Sequence, residues 1–257
     1  MKTKVFLWGR HGKMGKAIEK LAKDIPDIEI AGGFDHRPTN DDYHTYSDPG
    51  AIDTDYDIIV DFSHAGAIDG LLVATSKRPR PIVIASTGHD KMQMTAIRKL
   101  SKIVPIFLSG NMSLGVNLAS RIVRLAACAL EGWDIEVVEK HHNQKEDAPS
   151  GTALLLADSA NKGLANPRAY TYGRSGQAKR TPTEIGIHAV RGGTIIGEHD
   201  VIFAGPHETV TITHSALSRS IFASGALKAA QYLVGKNPGI YNMDNLLEGC
   251  YGATDNR

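Results

Sequence analysis

Two adjacent histidines, a lysine and a serine lie close together in the middle of the chain. They are His141, His142, Lys145 and Ser150. Histidine exchanges a proton near neutral pH, so His141 or His142 could serve as a general acid or base while the other binds substrate. Residue types alone do not decide between the two histidines, and two solvated loop histidines would look the same.

The segment that follows the histidines predicts a binding site for a carboxylate. Ser150 is a good N-cap for a helix that begins after it, and the N–H groups of Gly151 and Thr152 would then point outward. Lys145 adds a full positive charge. We expect a pocket for a small dicarboxylic acid, although an ordinary N-cap also explains the serine. No G-x-S-x-G motif surrounds Ser150, which argues against a nucleophile.

A metal site is not expected in this segment. Adjacent histidines rarely converge on one ion, and the HExxH spacing is absent. The two cysteines, Cys128 and Cys250, are far apart in the sequence and form no CxxC or Cys–His pattern. They do not make a disulfide framework.

A glycine-rich turn near the start of the chain predicts a dinucleotide site. It lies between a predicted strand and a predicted helix, and it reads Gly9, Arg10, His11, Gly12, Lys13, Met14 and Gly15. Glycines allow a tight turn and close approach of a pyrophosphate, and the helix N-terminus offers N–H groups to it. A glycine-rich turn that binds nothing is the alternative.

An acidic residue beyond the second strand bears on the choice of cofactor. Asp35 could accept hydrogen bonds from an adenosine ribose, which favours NADH. His36 and Arg37 follow it directly and could accommodate the 2′-phosphate of NADPH, or could be plain surface charge. We expect NADH and/or NADPH, with a preference for NADH.

Two further turns follow predicted strands, at the sheet edge where ligands of open α/β sheets bind. The first contains Ser86 and Thr87, and the second is formed by Ser109, Gly110, Asn111 and Met112. Both are candidates to line a nicotinamide site, although ordinary turns have the same composition.

The elements that would position these residues differ between the two halves. Short apolar runs at 5–8, 28–31, 58–60, 81–84 and 106–108 alternate with helical patterns at 14–22, 65–75 and 91–101. Such runs are typical of buried parallel strands, so we predict an α/β fold with an N-terminal Rossmann-like, doubly wound parallel sheet.

The second half predicts an α+β domain with a mixed sheet. We expect a helix at 116–130, a strand at 135–138, a polar loop at 140–149 and a helix after Ser150. Strands follow at 185–190, 194–196, 201–203 and 209–213, and a helix at 221–233. The pair Gly192-Gly193 predicts a hairpin between the first two of these strands, and Gly205-Pro206 predicts another turn.

Composition excludes several classes of function. The chain has 257 residues and a formal net charge of +1, so a nucleic-acid partner is not expected. The stretch 103–120 is uncharged but contains Pro, Gly, Ser and Asn, which is not typical of a membrane span. No export signal precedes the first strand. We expect a cytoplasmic protein with no membrane partner.

Several motifs together resemble the 4-hydroxy-tetrahydrodipicolinate reductase (dihydrodipicolinate reductase) family of lysine and diaminopimelate biosynthesis. They are the GxxGxxG turn, the segments 61–63, 86–88 and 111–117, and above all the pattern E-x-H-H-x-x-K-x-D-A-P-S-G-T-A at 139–153. The resemblance covers essentially the whole chain. It implies hydride transfer from NAD(P)H to a cyclic imine, which gives tetrahydrodipicolinate.

The resemblance also implies roles for individual residues. His141 would be the proton donor and acceptor, Lys145 a second proton donor, and His142 a substrate ligand, while Ser150, Gly151 and Thr152 would hold a substrate carboxylate. Cofactor contacts are implied for the residues Gly9, Arg10, His11, Gly12, Lys13, Met14, Asp35, His36, Ala85, Ser86, Thr87, Ser109, Gly110, Asn111 and Met112. The family often has Arg where this chain has His36, which concerns the cofactor and not the reaction.

The family resemblance sets the expected domain organisation. We expect residues 1–112 with 220–257 to form a dinucleotide-binding domain, and 113–219 to form a substrate-binding and oligomerisation domain. Family members are commonly tetramers, so a homotetramer built through the strands at 185–213 is expected. Two alternatives remain: another nicotinamide-dependent reductase of small amino or imino acids, and a regulator that binds NAD(H) without turnover.

Overall fold

The chain divides into two units, which a computed structural model describes over residues 2–37 and 44–251. One unit comprises Met1–Leu114 and Ser220–Arg257, and the other comprises Gly115–Arg219. The predicted dinucleotide-binding domain includes Met1, 38–43 and 252–257, which lie outside the described residues. The roles expected for the two domains stay predictions.

Strands and helices alternate through the first unit and segregate in the second. The strands are β1 (Thr3–Trp8), β2 (Ile28–Phe34), β3 (Thr45–Tyr46), β4 (Ile58–Asp61), β5 (Ile82–Ile84), β6 (Pro105–Leu108), β7 (Asp134–His141), β8 (Ala169–Tyr172), β9 (Glu184–Arg191), β10 (Glu198–Ala204), β11 (Thr209–Ser215) and β12 (Gly239–Tyr241). The α-helices are α1 (Lys13–Ala22), α2 (Ile68–Lys77), α3 (Lys91–Leu100), α4 (Leu114–Ala129), α5 (Gly151–Gly163), α6 (Ser220–Leu233) and α7 (Met243–Tyr251).

The first unit contains a parallel sheet in the order β12-β6-β5-β4-β1-β2-β3. Its central strands are apolar on both faces because helices cover both, and two separate hydrophobic clusters flank the sheet. Strand order reverses between β1 and β4, which is where ligands of such sheets bind. The predicted Rossmann-like doubly wound sheet is confirmed.

The second unit contains a mixed sheet in the order β11-β10-β7-β9-β8. Its central strand, β7, runs parallel to β9 and antiparallel to β10. Residues of β7 alternate strictly between the buried and the more exposed face. Ile135 and Val137 of the buried face pack into one cluster with α5 and the neighbouring strands. The predicted α+β unit with a mixed sheet is confirmed.

Three local predictions in the second unit are wrong. The segment 140–149 is not all loop, because the alternation of β7 continues through Lys140 and His141. No strand forms at 194–196, which lies in the irregular connection between β9 and β10. Gly192-Gly193 makes no hairpin, because β9 and β10 lie on opposite sides of β7 and do not pair with each other. The Gly205-Pro206 turn does connect a paired hairpin, β10 with β11.

The uncharged stretch 103–120 takes the form expected from its composition. It contains β6, a polar turn and the first residues of α4. Throughout 2–37 and 44–251, no helix combines the length and the apolar character that crossing a membrane would require.

Candidate active site

The glycine-rich turn between β1 and α1 depends on glycine at particular positions. Gly9 has φ +79°, and its N–H donates to the Phe34 carbonyl oxygen at 2.9 Å. A Cβ at Gly15 would lie 2.1 Å from the Arg10 carbonyl oxygen, so only glycine lets α1 approach the turn this closely. The turn is therefore held against the end of β2, and side chains larger than glycine are excluded at Gly9 and Gly15.

The N-terminus of α1 borders a crevice at the carboxyl edge of the sheet. Gly12 is the N-cap and has no side chain to bond the first amides, so a bound phosphate can accept from them. The crevice has a volume of about 260 Å³ at the β1–β4 switch point. Its walls include Trp8, Gly12, Phe34, Asp35, Ser63 and His64. A Cβ at Gly9 would approach Ser63 to 3.1 Å and narrow this crevice.

Asp35 lies in the wall of the crevice and anchors the turn. Its Oδ2 accepts from the His11 N–H at 3.0 Å, and its Oδ1 accepts from the Arg37 N–H at 3.1 Å. The His36 Nδ1 lies 3.3 Å from the same Oδ1, and the His36 side chain is 71% exposed. The carboxylate is thus fixed in position while the neighbouring imidazole is in solvent.

Two residues predicted to contact the cofactor turn their side chains inward. Arg10 is buried, and its guanidinium donates to Glu19 and Thr45. Met112 is buried in the hydrophobic cluster that packs beneath β5 and β6. If Arg10 or Met112 contacts a ligand, the contact is therefore made by backbone atoms.

Turns after β4 and β5 share a buried carboxyl group. Asp61 ends β4, and its carboxyl accepts from the hydroxyls of Ser63 and Ser86. Burial raises the pKa of Asp61, against the opposing effect of these hydrogen bonds. The Ser86 hydroxyl also lies 3.1 Å from His89 Nε2. Ala85 is buried, whereas Thr87 is exposed at the sheet edge.

The turn after β6 is held by its own side chains. The Ser109 hydroxyl donates to the Asn111 carbonyl oxygen at 2.8 Å. The Asn111 side-chain oxygen accepts from the Ser113 N–H at 2.9 Å. Gly110 is exposed between them. This turn therefore presents a fixed backbone at the carboxyl edge of the sheet.

His141 is the last residue of β7 and is held by a buried acid. Glu139 lies two residues earlier on the same face of the strand and is 0% exposed. Its Oε2 lies 2.6 Å from His141 Nδ1. An ionised carboxylate can only accept, so Nδ1 carries hydrogen and Nε2 is the ring nitrogen that gains or loses a proton. His141 itself is 8% exposed.

Glu139 is fixed from two more directions. Arg191 on β9 donates to both carboxylate oxygens, at 2.8 and 2.7 Å, and the Ser150 N–H donates to Oε1 at 2.9 Å. Burial alone would raise the pKa of Glu139, but the hydrogen bonds from Arg191, His141 and Ser150 outweigh it and lower the pKa below its usual value. The acid is therefore ionised at neutral pH, and His141 is firmly oriented.

Ser150 caps α5 as the sequence predicts. Its Oγ accepts from the Ala153 N–H at 3.1 Å, and the same Oγ lies 3.0 Å from His199 Nε2. Gly151 is exposed in the first turn of α5, and Thr152 follows it. Glu139 therefore links the imidazole of His141 to the start of α5, because it also accepts from the Ser150 amide.

His142 and Lys145 lie on the loop between β7 and α5. The His142 Nε2 is 3.3 Å from an Arg219 guanidinium nitrogen, so that nitrogen of the ring accepts. The Lys145 ammonium pairs with Asp147 Oδ1 at 2.8 Å. This hydrogen bond holds the pKa of Asp147 below its usual range. Both predicted residues lie on the loop that joins His141, at the end of β7, to Ser150, the N-cap of α5, within the second unit.

Sequence reasoning missed three residues of this cluster. Glu139 could have been found, because an acid two positions before His141 on an alternating strand shares its face. Arg191 and His199 could not, because each reaches the site through strand pairing. Arg191 pairs with His141 on the parallel side of β7, and His199 pairs with Glu139 on the antiparallel side.

No candidate metal centre accompanies the histidines. In the part of the chain that the structure describes, no group of three or more His, Cys, Asp or Glu side chains is placed to hold an ion. His141, Arg191 and the Ser150 amide instead each form a hydrogen bond with the Glu139 carboxylate.

Solved structures share the fold of this chain. Dihydrodipicolinate reductase from Paenisporosarcina sp. TG-14, solved with dipicolinate bound, has a TM-score of 0.79 at 21% identity and covers 94% of this chain and 98% of its own. Scyllo-inositol dehydrogenase from Lactobacillus casei, solved with NAD(H) and scyllo-inositol, has a TM-score of 0.57 at 13% identity, with 99% and 95% covered. The fold is therefore shared with a reductase and a dehydrogenase.

Sequence comparisons identify the family. The family description "Dihydrodipicolinate reductase, N-terminus" matches residues 3–112, and "Dihydrodipicolinate reductase, C-terminus" matches 115–247. The 4-hydroxy-tetrahydrodipicolinate reductase of Caldanaerobacter subterraneus subsp. tengcongensis is 50% identical over 96% of this chain and 99% of its own. The protein of the same name from Clostridium botulinum is 47% identical over 95% and 98%. The chain belongs to the dihydrodipicolinate reductase family, as the sequence resemblance predicts.

Proposed function

We propose that this chain is a 4-hydroxy-tetrahydrodipicolinate reductase that uses NADH or NADPH. It reduces the conjugated cyclic imine derived from 4-hydroxy-tetrahydrodipicolinate to tetrahydrodipicolinate, in the pathway to diaminopimelate and lysine. The observation that carries the proposal is the buried Glu139–His141 pair beside the start of α5. This pair joins a proton donor to an anion-binding helix end, and the reaction needs both.

His141 is the proposed general acid. A bound nicotinamide supplies the hydride, and the conjugated ring must gain a proton as well. Glu139 fixes the Nδ1 hydrogen of His141, which leaves Nε2 to deliver that proton. Lys145 is proposed as the second proton donor, and its present partner Asp147 is an exposed carboxylate that substrate could replace.

The start of α5 is the proposed site for a substrate carboxylate. A helix N-terminus stabilises an anion by roughly 0.3–1 kcal/mol, and by up to about 2 kcal/mol where it is partly buried. We assign Ser150, Gly151 and Thr152 to one carboxylate and His142 to further substrate contact. Lys145 contributes a full positive charge on the same loop. These groups together favour a doubly charged substrate.

The crevice beside the glycine-rich turn is the proposed cofactor site. The α1 N-terminus would hold the pyrophosphate and Asp35 the adenosine ribose, with the turns at 85–87 and 109–112 nearer the nicotinamide. Because the Asp35 carboxylate is fixed by two backbone amides, it would repel a 2′-phosphate. His36 and Arg37 lie beside it, so NADPH should still bind. We infer use of both cofactors with a preference for NADH.

A coupled assay tests the proposed function. Pyruvate, aspartate semialdehyde and a dihydrodipicolinate synthase generate the substrate, and oxidation of NADH or NADPH is followed at 340 nm. We expect substrate-dependent oxidation by the wild type, with a higher kcat/KM for NADH. His141→Gln and Lys145→Ala should each lower kcat by about 10²- to 10⁴-fold, the usual contribution of a positioned acid.

His207→Gln is the matched control for the histidine variant. His207 is exposed in the turn between β10 and β11, away from the Glu139 cluster. Its kcat should stay within about twofold of wild type, as is usual for surface substitutions. The reductase assignment would be refuted by folded protein that binds NADH but oxidises neither NADH nor NADPH when the substrate mixture is supplied.

We further propose that the protein is a homotetramer. The sheet of the second unit exposes large apolar side chains at Tyr172, Val190 and Val210. Val190 pairs with Lys140 and so lies on the more exposed face of this sheet, where a second chain can pack, whereas Tyr172 and Val210 pair with buried residues of the other face. Light scattering after size exclusion should give about four times the chain mass of 27.7 kDa. A mass equal to one chain would refute this assembly.

A further inference from the structure

The Ser150 hydroxyl is placed between two hydrogen-bonding groups. The Ala153 N–H donates to its Oγ at 3.1 Å, and His199 Nε2 lies 3.0 Å from the same atom. Both Ser150 and His199 are more than nine-tenths buried. A hydroxyl has one hydrogen and two lone pairs, so the direction of the His199 bond decides where the Ser150 hydrogen can point.

His199 carries a single ring hydrogen at neutral pH. Burial and the nearby His141 lower the pKa of His199 to about 4. The two imidazole rings meet edge to face with centroids 5.1 Å apart, and the ring of His214 lies 6.4 Å beyond. The neutral ring therefore has two possible tautomers, with the hydrogen on Nε2 or on Nδ1.

The environment of Nδ1 decides between the tautomers. His199 Nδ1 is buried and has no hydrogen-bond partner among the described residues. A hydrogen on Nδ1 would be a buried donor without an acceptor, which is rarer and less favourable in proteins than an unused lone pair. The hydrogen therefore lies on Nε2, and His199 donates to the Ser150 Oγ.

We propose that His199 is a positioning residue that turns the Ser150 hydroxyl into a dedicated donor to the substrate carboxylate. Both lone pairs of Oγ are used, one by the Ala153 amide and one by His199, so the hydroxyl hydrogen is directed away from both of these groups. A ligand atom at this position must accept, which selects a carboxylate over an ammonium or other donor group. This inference rests on the proposed function of Ser150, and His199 itself does not touch the ligand.

A double-mutant cycle measures whether His199 acts through Ser150. The probe is pyridine-2,6-dicarboxylate, titrated by calorimetry into protein saturated with NADH. His199→Met removes the donor and should weaken binding about tenfold, the size expected for a hydrogen bond to a charged group. His199→Gln keeps an N–H at the same reach and should stay within about threefold of wild type.

The Ser150→Ala background separates positioning from packing. There, His199→Met should change the affinity by less than about twofold, because the hydroxyl that it orients is gone. The inference would be overturned if His199→Met weakened binding equally in both backgrounds, or if it did not weaken binding when the wild-type Ser150 is present. Wild-type protein that binds NADH but not the dicarboxylate would instead refute the proposed carboxylate site itself. Thermal unfolding of each variant controls for loss of structure.

The tautomer can also be read without any substitution. Long-range ¹H–¹⁵N spectra of protein labelled with ¹⁵N-histidine distinguish a protonated Nε2 from a protonated Nδ1. We expect His199 to be protonated on Nε2 at neutral pH in the complex with NADH. A hydrogen on Nδ1 would mean that Ser150 donates to His199, and the inference would be wrong.

Discussion

Gly197 lies beside His141, the proposed general acid. A methyl group added at Gly197 should displace the imidazole of His141. A Cβ at Gly197 would lie 2.9 Å from His141 Nε2, whereas ordinary contact begins at 3.4 Å. The imidazole of Gly197→Ala must therefore move by about 0.5 Å. Displacements of about 1 Å can lower rates by about 10²-fold, and productive geometry is held to about 0.5 Å. We expect kcat to fall about tenfold.

The assay for Gly197→Ala is the coupled oxidation of NADH, with kcat and KM determined separately. Gly197 does not have positive φ, so alanine introduces no backbone strain there. Gly192→Ala is the matched control, because a Cβ at that position meets no atom within 4 Å. The control should retain wild-type kcat, and both variants should keep their thermal midpoints.

Two outcomes would refute this reasoning. A Gly197→Ala variant with wild-type kcat would mean that the position of His141 Nε2 is not critical, which removes His141 as the general acid. An equal loss of kcat in Gly192→Ala would mean that any substitution between β9 and β10 lowers activity. The contact of residue 197 with His141 would then not explain the loss.

Three further predictions concern ionised side chains. Glu139→Gln should lower kcat about 10²-fold by loosening His141, and a wild-type rate in the coupled assay would count against the orienting role. The pKa of Glu184 is lowered to about 2, chiefly by Arg174, so its stabilising effect is complete above about pH 4.5 and is lost as the pH falls to about 2. The difference in urea midpoint between wild type and Glu184→Gln should accordingly vanish near pH 2, and a constant difference would contradict this. Asp35→Ser should raise the ratio of kcat/KM for NADPH over NADH at least about tenfold by removing a charge near the 2′ position; an unchanged ratio would argue against that contact.

The first unit could be predicted from sequence because its signals are local. Apolar runs covered on both faces identify the central strands, and the turn at 9–15 shows its glycines directly. The short strands Thr45–Tyr46 and Gly239–Tyr241 were not predicted, because two or three residues show no periodicity. They join the sheet through pairing with neighbours that are already in place.

The candidate site could be predicted only as far as its motif extends along the chain. His141, Lys145 and Ser150 are close in sequence, and Ser150 shows its capping role by residue type. Arg191 and His199 come from other strands, and only the register of β9 and β10 against β7 brings them to Glu139. The failed hairpin at Gly192-Gly193 has the same origin, because a glycine pair shows where the chain turns but not which strand it pairs with next.

Isotope labelling shows whether a hydride passes from the nicotinamide to the substrate. The coupled reaction is run with NADH carrying deuterium at both C4 positions, and tetrahydrodipicolinate is analysed by mass spectrometry. We expect product that carries one deuterium, formed by the wild type and the His207→Gln control and about 10²-fold or more slowly by His141→Gln. Product without deuterium, or no product from folded protein that binds NADH, would contradict this expectation.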